Sequence, residues 1–293
     1  WSRGLGDVYK RQMYDQGAPL GVLWLLKTLT SIFGDNEFSL RAPALLASAV
    51  GLYLMVLLAS KVNGVAGKWF AVTMLALSSP AISYSVQAKQ YSLDLAITMA
   101  LWVYANHVLH VLNEGVVQKN WRSLGLAGAF AIWFSHPAVF TLAGIGLVLV
   151  FRNLRQKDRQ PWRPMLFAIS SWLVSFVLLY FIQFRGLGAN TALTNYWADY
   201  FLPLSSQAPI WIYSKLAEIV RNPGGVWQSI PEWWVVVLLL LGMAGLIYKR
   251  EAFGQMFGIT LVATMAASAI HMYPFGGRLA LFLVPGFLIS IGA

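Results

Sequence analysis

Apolar residues run through this chain in long blocks, each closed by a short polar or basic stretch. A helix needs about 20 apolar residues to cross a bilayer, and blocks approaching that size recur along the whole chain. They predict spans at Ala42–Ser60, Trp69–Ile82, Tyr91–Leu112, Leu124–Phe151, Met165–Gln183, Trp233–Tyr248, Gln255–Ile270 and Leu279 to the end. Ala18–Phe33, which carries Lys27, is shorter and fits either a tilted span or a helix lying in the interface. Ser135-His136-Pro137 interrupts the block Leu124–Phe151. Proline disfavours the helical conformation of the residue before it, so two short spans meeting at a tight turn fit better than one overlong span. Pro80 is expected to mark the end of the Trp69–Ile82 span. The fold class is all-α, a polytopic membrane helical bundle of about 9 to 10 segments.

The basic residues between the blocks give an orientation. One set of alternate connections carries Lys61 and Lys68, Lys119 and Arg122, then Arg152, Arg155, Lys157, Arg159 and Arg163, then Lys249 and Arg250. The other set carries Arg41, Lys89 and Arg278, with Arg185, Lys215 and Arg221 spread over one long loop. Lysine and arginine collect on the cytoplasmic side, so the denser set is expected there. The opposite side then holds the Tyr84–Asp94 stretch, the His136-Pro137 break, the outer loop 184–232 and the turn before Arg278. The aromatics of that loop and the next helix, Trp197, Tyr200, Trp211, Tyr213, Trp227, Trp233 and Trp234, read as an interfacial belt in which a minority stack on sugar rings.

Composition agrees with the pattern. Of 293 residues, 58% are hydrophobic and 11% charged, with mean hydropathy +0.62. Ordinary soluble domains carry roughly a quarter charged residues. The net charge of +10 fits cytoplasmic loops better than nucleic acid, because no Gly-rich phosphate loop or basic-aromatic patch accompanies it. Cysteine is absent, so no disulfide framework or thiolate metal site exists. The first twelve residues, WSRGLGDVYKRQ, fit neither a signal segment nor a helix. They read as a non-native leader (1–12) before a single membrane domain (13–293), with both termini expected to be cut short.

Candidate chemistry collects on the sparsely basic side. Asp94 lies about one turn inside its span. Tyr91, Asp94, Thr98 and Trp102 share one helix face, which reads either as an interhelical hydrogen-bond seam or as a site wall. Arg41, Lys89 and Arg278 each stand at or just before the start of a span. Each alone reads as a snorkelling cation; together they suit an anionic lipid headgroup or a phosphate leaving group. Tyr84 and Tyr91 flank Lys89. His136 reads first as a hydrogen-bonding residue, since no second ligand lies at metal-site spacing. His271 is a residue that folding could bring near it. His107 and His110 read as structural.

Four stretches then carry a resemblance. "FGDNEFSLRAPALLASAVGLYL" (Phe33–Leu54) resembles the fG-x-x-E-x-x-x-R-x-P-x-l stretch of bacterial membrane glycosyltransferases of the GT-C class. "SSPAISYSVQAKQYSLD" (Ser78–Asp94) resembles their sP-x-x-x-Y-s-x-E-a-R/K-x-Y-x-l-D segment. "APLGVLWLLKTL" (Ala18–Leu29) is similar to their P-P-L helix, and "YPFGGRLALFLVP" (Tyr273–Pro285) to their late P-x-x-R-Y element. The relatives are the protein mannosyltransferase and lipid A aminoarabinose transferase group, with family 39 and galacturonosyltransferase-like members most similar in character. The match covers most of residues 13–293.

The resemblance implies sugar transfer from a polyprenyl-phosphate donor to a lipid, glycan or protein acceptor on the outer face of the bacterial cytoplasmic membrane. Arg41, Lys89 and Arg278 would hold the donor phosphate, with Tyr84, Tyr91, Asp94 and His136 around the pocket. An acidic residue of the first outer loop would be the general base. The family's first span and most of that loop would precede Met13, so the catalytic carboxylate is expected upstream of Met13 and the chain as given is expected to lack it and to be inactive; Asp15 is the only acidic residue left from the region. Departures are Gln87 for the usual glutamate, Ala18 for the first proline and Leu279 for the tyrosine after the late arginine. Sugar and acceptor identity and any divalent metal stay open.

Two other classes compete. A transporter or flippase would show discontinuous helices in two related halves with polar residues near the midplane. A non-catalytic lipid-binding subunit would need none of the outer cations.

Overall fold

A computed structural model describes residues 17–112, 118–155, 162–185, 191–225 and 230–293. They form α1 (Leu20–Phe33), α2 (Glu37–Val62), α3 (Val65–Leu77), α4 (Ser79–Ser85), α5 (Tyr91–Leu112), α6 (Gln118–Phe134), α7 (Ala138–Arg155), α8 (Trp162–Leu179), α9 (Thr191–Tyr196), α10 (Ala208–Arg221), α11 (Glu232–Tyr248), α12 (Ala252–Ala269) and α13 (Val284–Ile291). A π-helical turn, Tyr180–Phe184, extends α8, and 3-10 turns cover Ala198–Tyr200 and Gly277–Leu283. No strand occurs among the described residues. The predicted all-α bundle is the observed fold.

By length and apolarity, α2, α7, α8 with its extension, and α12 can cross a membrane, and the bent pair α3–α4 adds a fifth span if the two are counted as one. The shorter apolar helices α1, α11 and Gly277–Ile291 match other predicted segments. The outer surface is apolar, as lipid contact demands: Leu46, Phe130, Phe181, Leu241 and Val262 are all exposed. The long helix α5 packs against α2, α6, α7 and the Gly277–Leu283 turn. Its Asp94 and Thr98 are buried by those neighbours rather than turned to lipid.

Local chemistry explains the breaks. Asn36 caps α2 by accepting the Ser39 N–H at 2.9 Å. The α6–α7 break falls at Ser135–Pro137, as the proline predicts. The span containing Pro80 differs from expectation. It does not end at that residue: α3 stops at Leu77, and α4 restarts with Pro80 in its first turn, bent by 56°. Proline lacks an N–H to donate but is at home in a first turn, so the break moves upstream of it. Ser78 caps α4 through the Ala81 N–H. The stretch from Leu279 likewise opens as a 3-10 turn before α13.

The described residues of the loop 184–232 include helices that the polar pattern does not predict. Its helix α10 buries Leu216, Ala217, Ile219 and Val220 against the bundle. The Ser78 hydroxyl donates to Pro223 O at 2.9 Å, fastening the end of this loop to the α3–α4 break. Close helix contacts use glycine. A Cβ on Gly144 of α7 would lie 2.5 Å from Met256 O of α12, and one on Gly242 of α11 would lie 1.7 Å from Ser290 O of α13. Such small residues let membrane helices approach backbone to backbone.

The bundle has two distinct ends. At one, Asn63 reaches Ile289 O and Arg152 donates to Arg250 O. At the other, the start of α5, the α6–α7 turn, the end of α8, the end of α12 and the Arg278 turn come together.

Candidate functional site

The Arg278 end is built around the start of α5. The face foreseen from spacing is real: Tyr91, Asp94, Thr98 and Trp102 are all buried. Its deeper part is a seam. Thr98 and Thr141 hydroxyls meet at 3.3 Å across α5 and α7, Thr141 donates to Pro137 O, and Trp102 packs edge-on against Phe253 and Phe257. Its outer part differs. Asp94 is 4% exposed, and its Oδ1 completes no well-formed hydrogen bond. Ser135, wholly buried in the α6–α7 turn, faces that carboxylate, yet its own Oγ completes no well-formed hydrogen bond.

One turn outward from Asp94, the Tyr91 ring lies 5.7 Å from the Arg278 guanidinium, and the Trp197 ring lies 5.5 Å from it. Both distances are within the reach of a cation–π contact. Tyr84 meets Tyr91 edge-on at 5.3 Å and is within electrostatic reach of the same arginine. Arg278 has no ion-paired carboxylate among the described residues, and it stays exposed. An aromatic-flanked, unneutralised guanidinium is a ready anion receptor.

A strap of chain holds Trp197 there. Tyr200 O accepts from Phe275 N at 2.8 Å and from the Ser268 hydroxyl at 3.0 Å, while Leu202 N donates to that hydroxyl oxygen. The turn before Arg278 accepts this strap because Gly276 has no side chain. A Cβ there would lie 2.5 Å from the Tyr200 ring. Lys215 lies over the other part of the strap, 4.0 Å from the Tyr200 ring centroid, and is paired with Glu218 at 2.7 Å.

The remaining predicted residues are distributed as follows. Lys89 is exposed on the turn between α4 and α5, the turn that Tyr84 and Tyr91 bracket. Arg41 is exposed and paired with Glu37 at 3.4 Å. Gly51 of α2 abuts Leu95 and Met99 of the parallel α5. From that level Arg41 projects about 15 Å, several Å further than Tyr91. His136 Nε2 lies 3.3 Å from Gln183 Oε1, and Gln183 in turn donates to Ala18 O at 2.6 Å, so this histidine fastens α8 and the start of α1 to the α6–α7 turn. His271 packs on Phe201, and His107 stacks on Tyr104. Asp15, the leader and Trp227 lie outside the described residues. No group of three or more His, Cys, Asp or Glu side chains gathers among the described residues.

Sequence reasoning missed Trp197 as a site residue, placing it in a headgroup belt, and treated Ser135 only as part of a break. Tyr273, whose hydroxyl donates to Leu279 O, packs on Phe140 and lies near both Asp94 and Tyr91. An apolar crevice of about 340 Å³ lies elsewhere, between α3, α11 and α13, with Phe70, Met74, Val235 and Leu238 in its walls. It suits hydrocarbon and offers nothing to a headgroup.

Residues 17–181 match the dolichyl-phosphate-mannose-protein mannosyltransferase family. That stretch runs from α1 into the π-helical turn after α8, and so includes Arg41, Lys89, Tyr91, Asp94 and Ser135. Trp197 and Arg278 lie beyond it. No curated protein and no solved structure matches the chain. With more than half its length inside the match, this multi-pass membrane protein belongs to the dolichyl-phosphate-mannose-protein mannosyltransferase family, glycosyltransferases of the GT-C class.

Proposed function

We propose that the protein transfers a sugar from a polyprenyl-phosphate donor to an acceptor hydroxyl on the extracytoplasmic face of the bacterial cytoplasmic membrane. The observation that carries this reading is Arg278, a cation flanked by Tyr91 and Trp197 and without an ion-paired carboxylate among the described residues, at the sparsely basic end of the bundle. In such a transfer the bond from the sugar's anomeric carbon to the phosphate oxygen breaks. The electron pair stays on the phosphate, which leaves as polyprenyl phosphate. The acceptor oxygen forms the new glycosidic bond and gives its proton to a general base. Fixed cations favour the leaving phosphate because its charge grows as the bond breaks.

Arg278 is the principal phosphate residue in this scheme. Lys89 is a second cation on the turn that Tyr84 and Tyr91 bracket. Arg41 is a more distant one, partly neutralised by Glu37. The test uses the protein in lipid nanodiscs with polyprenyl-phosphate mannose, glucose and arabinose as donors. Polyprenyl phosphate release and polyprenyl phosphate binding are both measured. Arg278→Gln is expected to weaken binding and release about tenfold or more, and Lys89→Gln by a smaller factor. Unchanged values for Arg278→Gln in a folded protein overturn the reading.

A further inference from the structure

We infer that Asp94 and Ser135 form a buried subsite that takes a hydroxyl of the donor sugar and so selects glycosylated polyprenyl phosphate over the bare lipid. This rests on the proposed transfer and goes beyond it by giving the sugar its own recognition groups, separate from those for the phosphate.

Three observations converge. First, Asp94 Oδ1 and Ser135 Oγ, both buried, come within reach of each other, yet neither completes a well-formed hydrogen bond. Leaving such buried groups without well-formed bonds is costly. Second, one turn deeper on the same face the Thr98 and Thr141 hydroxyls close on each other, so the unmet oxygens of this face lie at the end nearest Arg278, while the Trp102 indole N–H stays unpartnered deeper still. Third, Tyr91 connects the two regions. Its ring faces the Arg278 guanidinium, and Asp94 follows one turn deeper, about 4.5 Å along the helix axis. That rise is comparable with the size of one pyranose ring. A glycosyl phosphate with its phosphate at Arg278 would bring a ring hydroxyl to the Asp94 level.

The two groups are chemically matched to a sugar hydroxyl. The carboxylate accepts the hydroxyl proton, and Ser135 can donate to or accept from the same oxygen. Tyr91 and Tyr273 both lie near Asp94. A hydroxyl-recognising buried site discriminates strongly against a ligand that lacks the hydroxyl, because its polar groups are then left bare.

The test measures binding of two probes, polyprenyl-phosphate mannose and bare polyprenyl phosphate, to the protein in nanodiscs, with polyprenyl-phosphate glucose and arabinose as further sugars. The wild type is expected to prefer at least one glycosylated lipid about tenfold or more. Asp94→Asn and Ser135→Ala are expected to cut that preference to about threefold or less while leaving affinity for the bare lipid unchanged. Arg278→Gln should weaken both probes by similar factors and so keep the ratio. Ser135→Ala removes a single oxygen and serves if Asp94→Asn fails to fold. A full ratio in both folded variants, or a wild-type ratio of one for every sugar, overturns the subsite. It leaves the transfer reading standing if Arg278→Gln still weakens both. Loss of the Arg278 effect instead overturns the transfer reading.

Discussion

Replacing Trp197 by alanine isolates what the strap does for Arg278. The indole lies 5.5 Å from the guanidinium, and Tyr91 lies on it at 5.7 Å. Arg278 is exposed, so the cation–π contact with Trp197 belongs at the weak end of the scale, about 0.5–1 kcal/mol. Removing the indole also frees the arginine to sample more rotamers, and re-ordering it on a phosphate costs about 0.5–1.5 kcal/mol. The two effects sum to about 1–2.5 kcal/mol, or roughly 5- to 70-fold in phosphate affinity. The assay is polyprenyl phosphate binding in nanodiscs for the wild type, Trp197→Ala, Arg278→Gln and the double variant. If the tryptophan acts through the arginine, removing it in the Arg278→Gln background changes little, and the cycle shows a coupling of about 1–2 kcal/mol. Trp197→Phe keeps a flat face and should recover most of the affinity. Effects that add within about 0.5 kcal/mol would falsify the positioning role and leave Trp197 as packing alone.

Three further outcomes follow from the same geometry. Arg278→Lys keeps the charge but loses the planar fork, so phosphate affinity should fall between wild type and Arg278→Gln; parity with wild type in the same binding assay would contradict the stacked-guanidinium argument. Gly276→Ala drives a Cβ to 2.5 Å from the Tyr200 ring, so the strap should loosen at a cost of about 1–3 kcal/mol, read as faster proteolysis near Tyr200 with the transmembrane core intact. Gly242→Ala places a Cβ 1.7 Å from Ser290 O and should separate α11 from α13, lowering the detergent melting temperature; an unchanged melting temperature would refute that contact.

The bundle was legible because its signal is local. The helix Tyr91–Leu112 begins where the pattern of apolar and polar residues puts it, and the Ser135–Pro137 break follows from proline chemistry. The face of Tyr91, Asp94, Thr98 and Trp102 also follows from helical spacing, since each lies three or four residues from the next. The α3–α4 bend was harder to place, because proline both stops one helix and can start another. The order within 184–232 was hidden by its polarity. The buried face of α10 and the Ser268 latch depend on partners elsewhere in the chain.

The sequence by itself determined that this is a many-helix membrane protein, which side of it holds few cations, and that Asp94 must face the protein interior or water rather than lipid. Each of these is a cost read along one segment: apolar length against bilayer thickness, and a carboxylate against lipid. Only the tertiary structure decided that Trp197 and Tyr91 flank Arg278, that Ser135 faces Asp94, and that Arg41 is paired with Glu37 instead. Those contacts, except the local Arg41–Glu37 pair, join residues far apart in the chain, and packing alone sets which helix ends meet.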